Sequence, residues 1–459
     1  MTLRPALDSF VGWASRQLLA LFFRRIEVVG AEKIPPRGPF LVVANHVNGL
    51  IDPMFVFGPL GIPARMLGKS TVWRIPVIAQ LAALAGAIPV YRRIDRGTDT
   101  TRNVATFERC HEELARCGRI ALFPEGISHD EPRLQPLRTG AARIAIEAER
   151  KFGPLGVVIV PVGLVFQRRE RFRSRALVVV GDPIDPSTDV RSAEDDEPAA
   201  VRALTERIFH ALERVTLNYP SWEEARLVGL GAEIYDREHG PKERRRTLVE
   251  EFAIRRAVAH ALGRLRVVHP EDVEVAVAAV RDYEELLRDT GVRDEQVVAA
   301  YPRRVVVFFT LRTTWRLFLA APVAAVGTVL NVVPYLLALL ISNFFEDEPN
   351  QIATYKLFPS LALYPATWLG WGWAVGARWG AGLGAALALA APFAGWVALR
   401  WHERRRRLWG EARAFLTLRS RRDVAAELRE RRRRVEEAIA RLLPLAAQPP
   451  SRSVASRRA

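Results

Sequence analysis

Three stretches of this chain, 317–345, 357–377 and 379–399, contain no Asp, Glu, Lys or Arg. A helix needs ~20 apolar residues to cross the hydrocarbon core of a bilayer, and each stretch is long enough. The expectation is an integral membrane protein. Trp368, Trp371, Trp373, Trp379, Trp396 and Trp401 mark the expected interfaces, and Gly372, Gly376, Gly380 and Gly384 recur every fourth residue, a spacing that permits close helix packing. Three simple crossings would put the flank with Arg303, Arg304, Arg312 and Arg316 opposite the flank running from His402 to Arg407, against the positive-inside tendency. The expected topology is therefore a hairpin of 357–377 and 379–399 with its tip near Arg378. Segment 317–345, interrupted by Pro322 and Pro334, is then re-entrant or kinked.

The N-terminal half is punctuated differently. The apolar run Phe40–Ala44 follows a Pro-Pro-Arg-Gly turn and reads as a buried strand, and His46 and Asp52 come directly after it. A carboxylate that accepts from one imidazole nitrogen fixes the tautomer and leaves the other nitrogen to take a proton, so this pair can activate a hydroxyl. Backbone N–H groups of residues 45–49 are the expected oxyanion donors. Three further short strands follow. The first is 86–91, ending in Arg92 and Arg93; the second leads into Pro124-Glu125-Gly126; the third is 157–164. Polar residues gather at the C-terminal ends, where open α/β sheets place their ligand crevice. The planar guanidinium fork suits a phosphate, which makes Arg92 and Arg138 the candidate anion contacts, with Arg93 read as solvated. Gly126 lets a turn approach a ligand closely.

These four blocks, in this order, resemble the glycerol-phosphate acyltransferase superfamily, whose best-known members acylate glycerol 3-phosphate and lysophosphatidic acid. The usual first motif is His, four residues, Asp; here five residues intervene. That spacing, with Asn48 and Pro53, is similar to a branch described from fungi with the pattern His-x-Asn-x-x-x-Asp-Pro, which acylates glycerol 3-phosphate or dihydroxyacetone phosphate. The segment 123–140, from Phe-Pro-Glu-Gly-Ile-Ser-His-Asp to Leu-Arg-Thr-Gly, is similar to that branch's extended third motif. The resemblance covers roughly residues 26–185. It implies a mostly parallel central sheet flanked by helices, with His46 as general base and Asp52 as its orienter. Asn48, Arg92, Glu125, Gly126, Arg138, Thr139 and Gly140 would bind the substrate, Glu125 by holding the acceptor's hydroxyls. It further implies acyl-CoA or an acyl-carrier protein as donor, a phosphorylated glycerol or lysophospholipid as acceptor, and no metal or cofactor. A lysophospholipid acyltransferase or transacylase with another headgroup, and a non-catalytic lipid-binding membrane protein, are the alternatives.

Other motifs carry less. Ser128, His129 and Asp130 are consecutive, and neighbours in a chain cannot converge on one proton path, so they read as a loop motif. Cys110 and Cys117 have no His-Cys cluster near them and read as reduced helix residues on a cytosolic-facing domain. Their helix, about 101–116, carries Val104, Phe107, His111 and Leu114 at helical spacing, which makes His111 a packed core residue. A net charge of +16 permits nucleic-acid binding, but the arginines are spread over every segment, and an anionic lipid surface is the better partner. The expected domains are an interfacial N-terminal helix (1–30), an acyltransferase domain (31–198), a helical domain (199–302), a membrane module (303–401), and a basic helix with a disordered tail (402–459). In the last of these Val424, Leu428, Val435, Ile439 and Leu442 form a helical stripe. The catalytic domain is expected on the cytoplasmic side.

Overall fold

The computed structural model describes residues 3–74, 76–92, 99–240, 246–298, 303–344 and 351–447. Arg93 and the expected disordered tail from Pro449 onward lie outside the described residues. The chain divides into two compact units. One comprises 1–222 with 246–252 and 345–355; the other comprises 223–245, 253–344 and 356–459.

The first unit is an α/β domain. In chain order it contains α1 (Leu3–Phe22), β1 (Arg25–Val29), β2 (Phe40–Ala44), α2 (Asp52–Phe57), β3 (Arg65–Lys69), α3 (Pro76–Leu84), β4 (Ile88–Val90), α4 (Asn103–Ala115), β5 (Arg119–Leu122), α5 (Gly140–Phe152), β6 (Val158–Phe166), β7 (Arg175–Val180), α6 (Ser187–Ser192) and α7 (Glu197–Val215). The sheet order is β1-β7-β6-β2-β5-β3-β4. Every pairing is parallel except β6 with β7. All five residues of β2 are buried, as befits a strand covered by helices on both faces. Because β2, β4, β5 and β6 run the same way, residues following each of them share one edge of the sheet.

The boundary expected at 198 is not a boundary. Ala200, Val201, Leu204, Ile208, Ala211, Leu212 and Val215 form one apolar stripe along α7, and that stripe belongs to the same core cluster as β2, β5 and α5. The N-terminal helix likewise packs on the domain. It buries Leu19 and Phe22 while leaving Phe10, Trp13 and Leu21 exposed.

The second unit is helical: α8 (Trp222–His239), α9 (Leu248–Val268), α10 (Pro270–Thr290), α11 (Asp294–Val298), α12 (Arg303–Asn343), α13 (Ile352–Trp379), α14 (Ala381–Ser420) and α15 (Arg422–Ala447), with Trp222 and the first turns of α9 and α13 counted in the first unit. The stripe on α15 finds its partner in α10: Leu428 and Val435 pack with Val280, Tyr283 and Leu287. Asp294 is the polar centre of this bundle. It accepts from Tyr283 Oη at 2.8 Å and Arg432 Nε at 2.9 Å, and it pairs with Arg237. Burial, then the Asp294 charge, pushes the Tyr283 phenol pKa up.

Helix α12 runs unbroken through Pro322 and Pro334. Two helices, Phe308–Asn343 and Ala381–Ser420, are long and apolar enough to cross a membrane. The turn between α13 and α14 is Gly380, whose φ of 101° suits glycine. The glycine series does split between two helices that pack closely, for a Cβ on Gly384 would lie 2.2 Å from the Gly372 carbonyl oxygen.

Candidate active site

The loop after β2 is built around one carboxylate. Asp52, wholly buried, opens α2 with Pro53 behind it. Its Oδ2 accepts from the N–H groups of Val47 at 2.8 Å and Asn48 at 2.7 Å, and from His46 Nδ1 at 2.9 Å. The five-residue spacing between His46 and Asp52 therefore closes the pair. Since the carboxylate accepts, Nδ1 carries the proton and Nε2 is the ring nitrogen left to act as a base. The imidazole lies flat on Phe123, centroids 4.0 Å apart and planes 8° apart, and keeps 19% of its side chain exposed.

The remaining loop amides are also engaged. His46 N–H donates to Glu125 Oε1 at 2.8 Å, Gly49 N–H to Ser128 Oγ at 3.3 Å, and Leu50 N–H to Thr354 Oγ1 at 3.2 Å. The expectation that backbone N–H groups of this loop form the oxyanion hole is thereby corrected for residues 46–49. Those donors hold the loop's own shape, because two buried carboxylates, Glu125 and Asp52, and the Ser128 hydroxyl accept them.

Glu125 was expected to face the acceptor. In the structure its side chain is wholly buried, and besides His46 it accepts from His129 Nε2 at 2.5 Å and Gln135 N–H at 2.7 Å. Both oxygens serve the protein itself. Arg92 donates to the Gly126 carbonyl at 2.7 Å, and the Arg138 stem covers Gly126, whose φ is 72° and whose missing Cβ would lie 3.2 Å from Arg138 Cγ. The second and third motifs thus meet at one glycine, bracketed by two guanidiniums. Arg138 is exposed, and Thr139 and Gly140 follow it as the N-terminal residues of α5. An anion is favoured at a helix N-terminus. Asn48 is buried, and its Nδ2 has no hydrogen-bond partner.

Several supporting residues carried no recognisable sequence signal. Asn103 grips the Tyr91 backbone from both sides, accepting from its N–H at 2.9 Å and donating to its carbonyl at 2.7 Å, which fixes the chain just before Arg92. Arg169, beyond β6, pairs with Asp130 and lies 5.7 Å from the Trp222 ring. Burial lowers its pKa, while the Glu170 and Asp52 charges oppose that shift. Thr354 is 304 residues from Leu50 in the chain, so only the fold could bring it here. The Ser128-His129 pair was visible as a loop motif; its partners were not.

The mostly parallel sheet thus carries a His–carboxylate dyad and two arginines at its carboxyl edge. Residues 8–165 match the family described as Acyltransferase. A Schizosaccharomyces pombe protein described as an uncharacterized acyltransferase is 23% identical, over 77% of this chain and 66% of its own length. Glycerol-3-phosphate O-acyltransferase 2 of Saccharomyces cerevisiae is 29% identical over 43% of this chain and 26% of its own. A chloroplastic 1-acyl-sn-glycerol-3-phosphate acyltransferase of Brassica napus is 28% identical over 33% of this chain and 40% of its own. The chain spans less than two thirds of the length of each of these relatives.

Proposed function

We propose that the protein is a membrane-bound O-acyltransferase that moves a fatty acyl group from acyl-CoA to a hydroxyl of glycerol 3-phosphate or 1-acylglycerol 3-phosphate. The observation that carries this reading is the His46–Asp52 dyad, with Nε2 free, on the same sheet edge as Arg92 and Arg138. His46 Nε2 takes the proton of the acceptor hydroxyl as its oxygen attacks the thioester carbonyl. The new C–O bond forms, the C–S bond breaks, and the imidazolium returns the proton to the departing thiolate. Asp52 supports the imidazolium throughout, and no acyl-enzyme is required. Arg92 and Arg138 hold the acceptor's phosphate by charge-assisted hydrogen bonds. Acyl-CoA enters as co-substrate, and no cofactor is needed. The likeness to relatives named for glycerol 3-phosphate and for 1-acyl-sn-glycerol 3-phosphate supports this acceptor class.

The test is an assay of the purified protein with acyl-CoA against glycerol 3-phosphate, dihydroxyacetone phosphate and lysophosphatidic acid, beside His46→Ala. Transfer to a phosphorylated acceptor, reduced ~10²–10⁴-fold in the variant, is expected for loss of a general base. Wild-type turnover in His46→Ala, or no transfer to any of the three acceptors, would overturn the proposal.

A further inference from the structure

We infer that His129 is a positioning residue for the transfer step, holding the main chain of His46 in register with its acceptor; this rests on the reading of His46 as base. The hydrogen bonds settle the protonation of the ring. Glu131 N–H can only donate, and it lies 3.1 Å from His129 Nδ1, so Nδ1 accepts and the proton sits on Nε2. Nε2 donates to Glu125 Oε2 at 2.5 Å, and the other oxygen of Glu125 takes the N–H of His46 at 2.8 Å. His129 also reaches His46 directly, for its own N–H donates to the His46 carbonyl at 3.2 Å. Both polar groups of the His46 backbone are therefore tied to one buried histidine, one of them through Glu125.

The network is closed to solvent, with side-chain exposures of 7% for His129 and 0% for Glu125. Both ring nitrogens of His129 are occupied, which leaves it no lone pair for acid–base work on a substrate. Its contribution is geometric. Asp52 and Phe123 orient the His46 ring, and the Glu125–His129 pair sets where that ring starts from. A base displaced by about 1 Å can cost on the order of 10²-fold in rate, so a link of this kind acts on turnover rather than on substrate affinity.

Two substitutions separate the ring's nitrogens. In His129→Gln the amide nitrogen reaches the place of Nε2 and can still donate to Glu125. In His129→Asn the carbonyl reaches the place of Nδ1 and can still accept from Glu131, but nothing donates to Glu125. With full-length protein in detergent, His129→Asn is expected to lower kcat about 10- to 100-fold while KM for both substrates stays within about twofold. His129→Gln should remain within about threefold of wild type in kcat. Equal kcat in the two variants, whether both high or both low, would overturn the inference, as would an effect confined to KM. An unfolded His129→Asn beside a folded His129→Gln would assign the contact to stability and overturn it too. Inactive His46→Ala with wild-type His129→Asn sinks this inference and leaves the base standing; active His46→Ala sinks the base itself.

Discussion

His111 lies on α4 with 3% of its side chain exposed and a hydrogen bond to neither ring nitrogen; the Glu147 carboxylate is 3.6 Å from Nε2, beyond bonding reach. Burial pulls its pKa below the ordinary 6.5, and the Glu108 carboxylate, opposed by Lys151, restores only part of that. The unfolded chain therefore binds a proton below pH 6.5 that the folded chain refuses, and stability must fall as pH drops from that value toward the folded-state pKa. Removing the imidazole removes this contribution. Thermal melts of wild type and His111→Leu at about pH 7.5 and about pH 5.5 should show a smaller acid-induced loss in the variant; an equal loss in both would place the proton elsewhere. The core role of His111 was legible from helical spacing, since Phe107 and Leu114 share its face. Val104, expected on the same stripe, is 69% exposed because α4 begins only one residue before it. Glu125 was less legible still: a glutamate beside a glycine in a turn looks the same whether it faces a ligand or three donors of its own chain. Cys110 illustrates the opposite case. Its burial raises the thiol to about 12, in keeping with a packed, unreactive helix residue.

Among the elements, β2 and β6 could be read because each is a continuous apolar run, the mark of a strand covered on both faces. The strands β1, with the sequence Arg-Ile-Glu-Val-Val, and β3, with Arg-Met-Leu-Gly-Lys, carry charges, and a five-residue segment of that kind has no periodicity to separate it from loop. The membrane-type helices were visible by length and by lack of charge. What their glycines do was only half visible. Spacing of four permits packing, but the structure separates glycines that touch from those that do not. Gly384 meets the Gly372 carbonyl and the Gly376 backbone, whereas nothing lies within 4 Å of a Cβ placed on Gly382. Gly384→Ala should destabilise the α13–α14 hairpin by about 1–3 kcal/mol through overpacking against backbone that cannot move aside. Gly382→Ala, two residues away on the same helix, should be neutral or slightly stabilising, because alanine is the better helix former. Unfolding of both variants in detergent would decide it, and equal losses would show that the close approach carries no energetic weight.

At the scale of the whole molecule, the basic flanks of the apolar helices give a topology that can be tested. Within the helical unit, Leu317 accepts from Trp401, a Cβ on Gly327 would strike the Ala394 carbonyl, and Asn331 reaches the Ala391 carbonyl at 3.4 Å. Positions rise along α12 as they fall along α14, so the two helices are antiparallel. The flank bearing Arg312 and Arg316 and the flank running from His402 to Arg407 consequently share one end of the pair, and the turn at Gly380, with Arg378 beside it, lies at the other. Sequence alone left those flanks to be reconciled by counting crossings. The packing places them together directly, and the positive-inside tendency then predicts the cytoplasmic side for both. After replacement of Cys110 and Cys117, single cysteines at positions 312, 378 and 406 should divide under a membrane-impermeant thiol reagent added to intact cells. Position 378 should be labelled, while 312 and 406 should react only once the membrane is opened. Labelling of 312 and 406 with protection of 378 would invert the orientation of the helix pair. Labelling of 312 or 406 alone would break the antiparallel pairing from which the assignment follows.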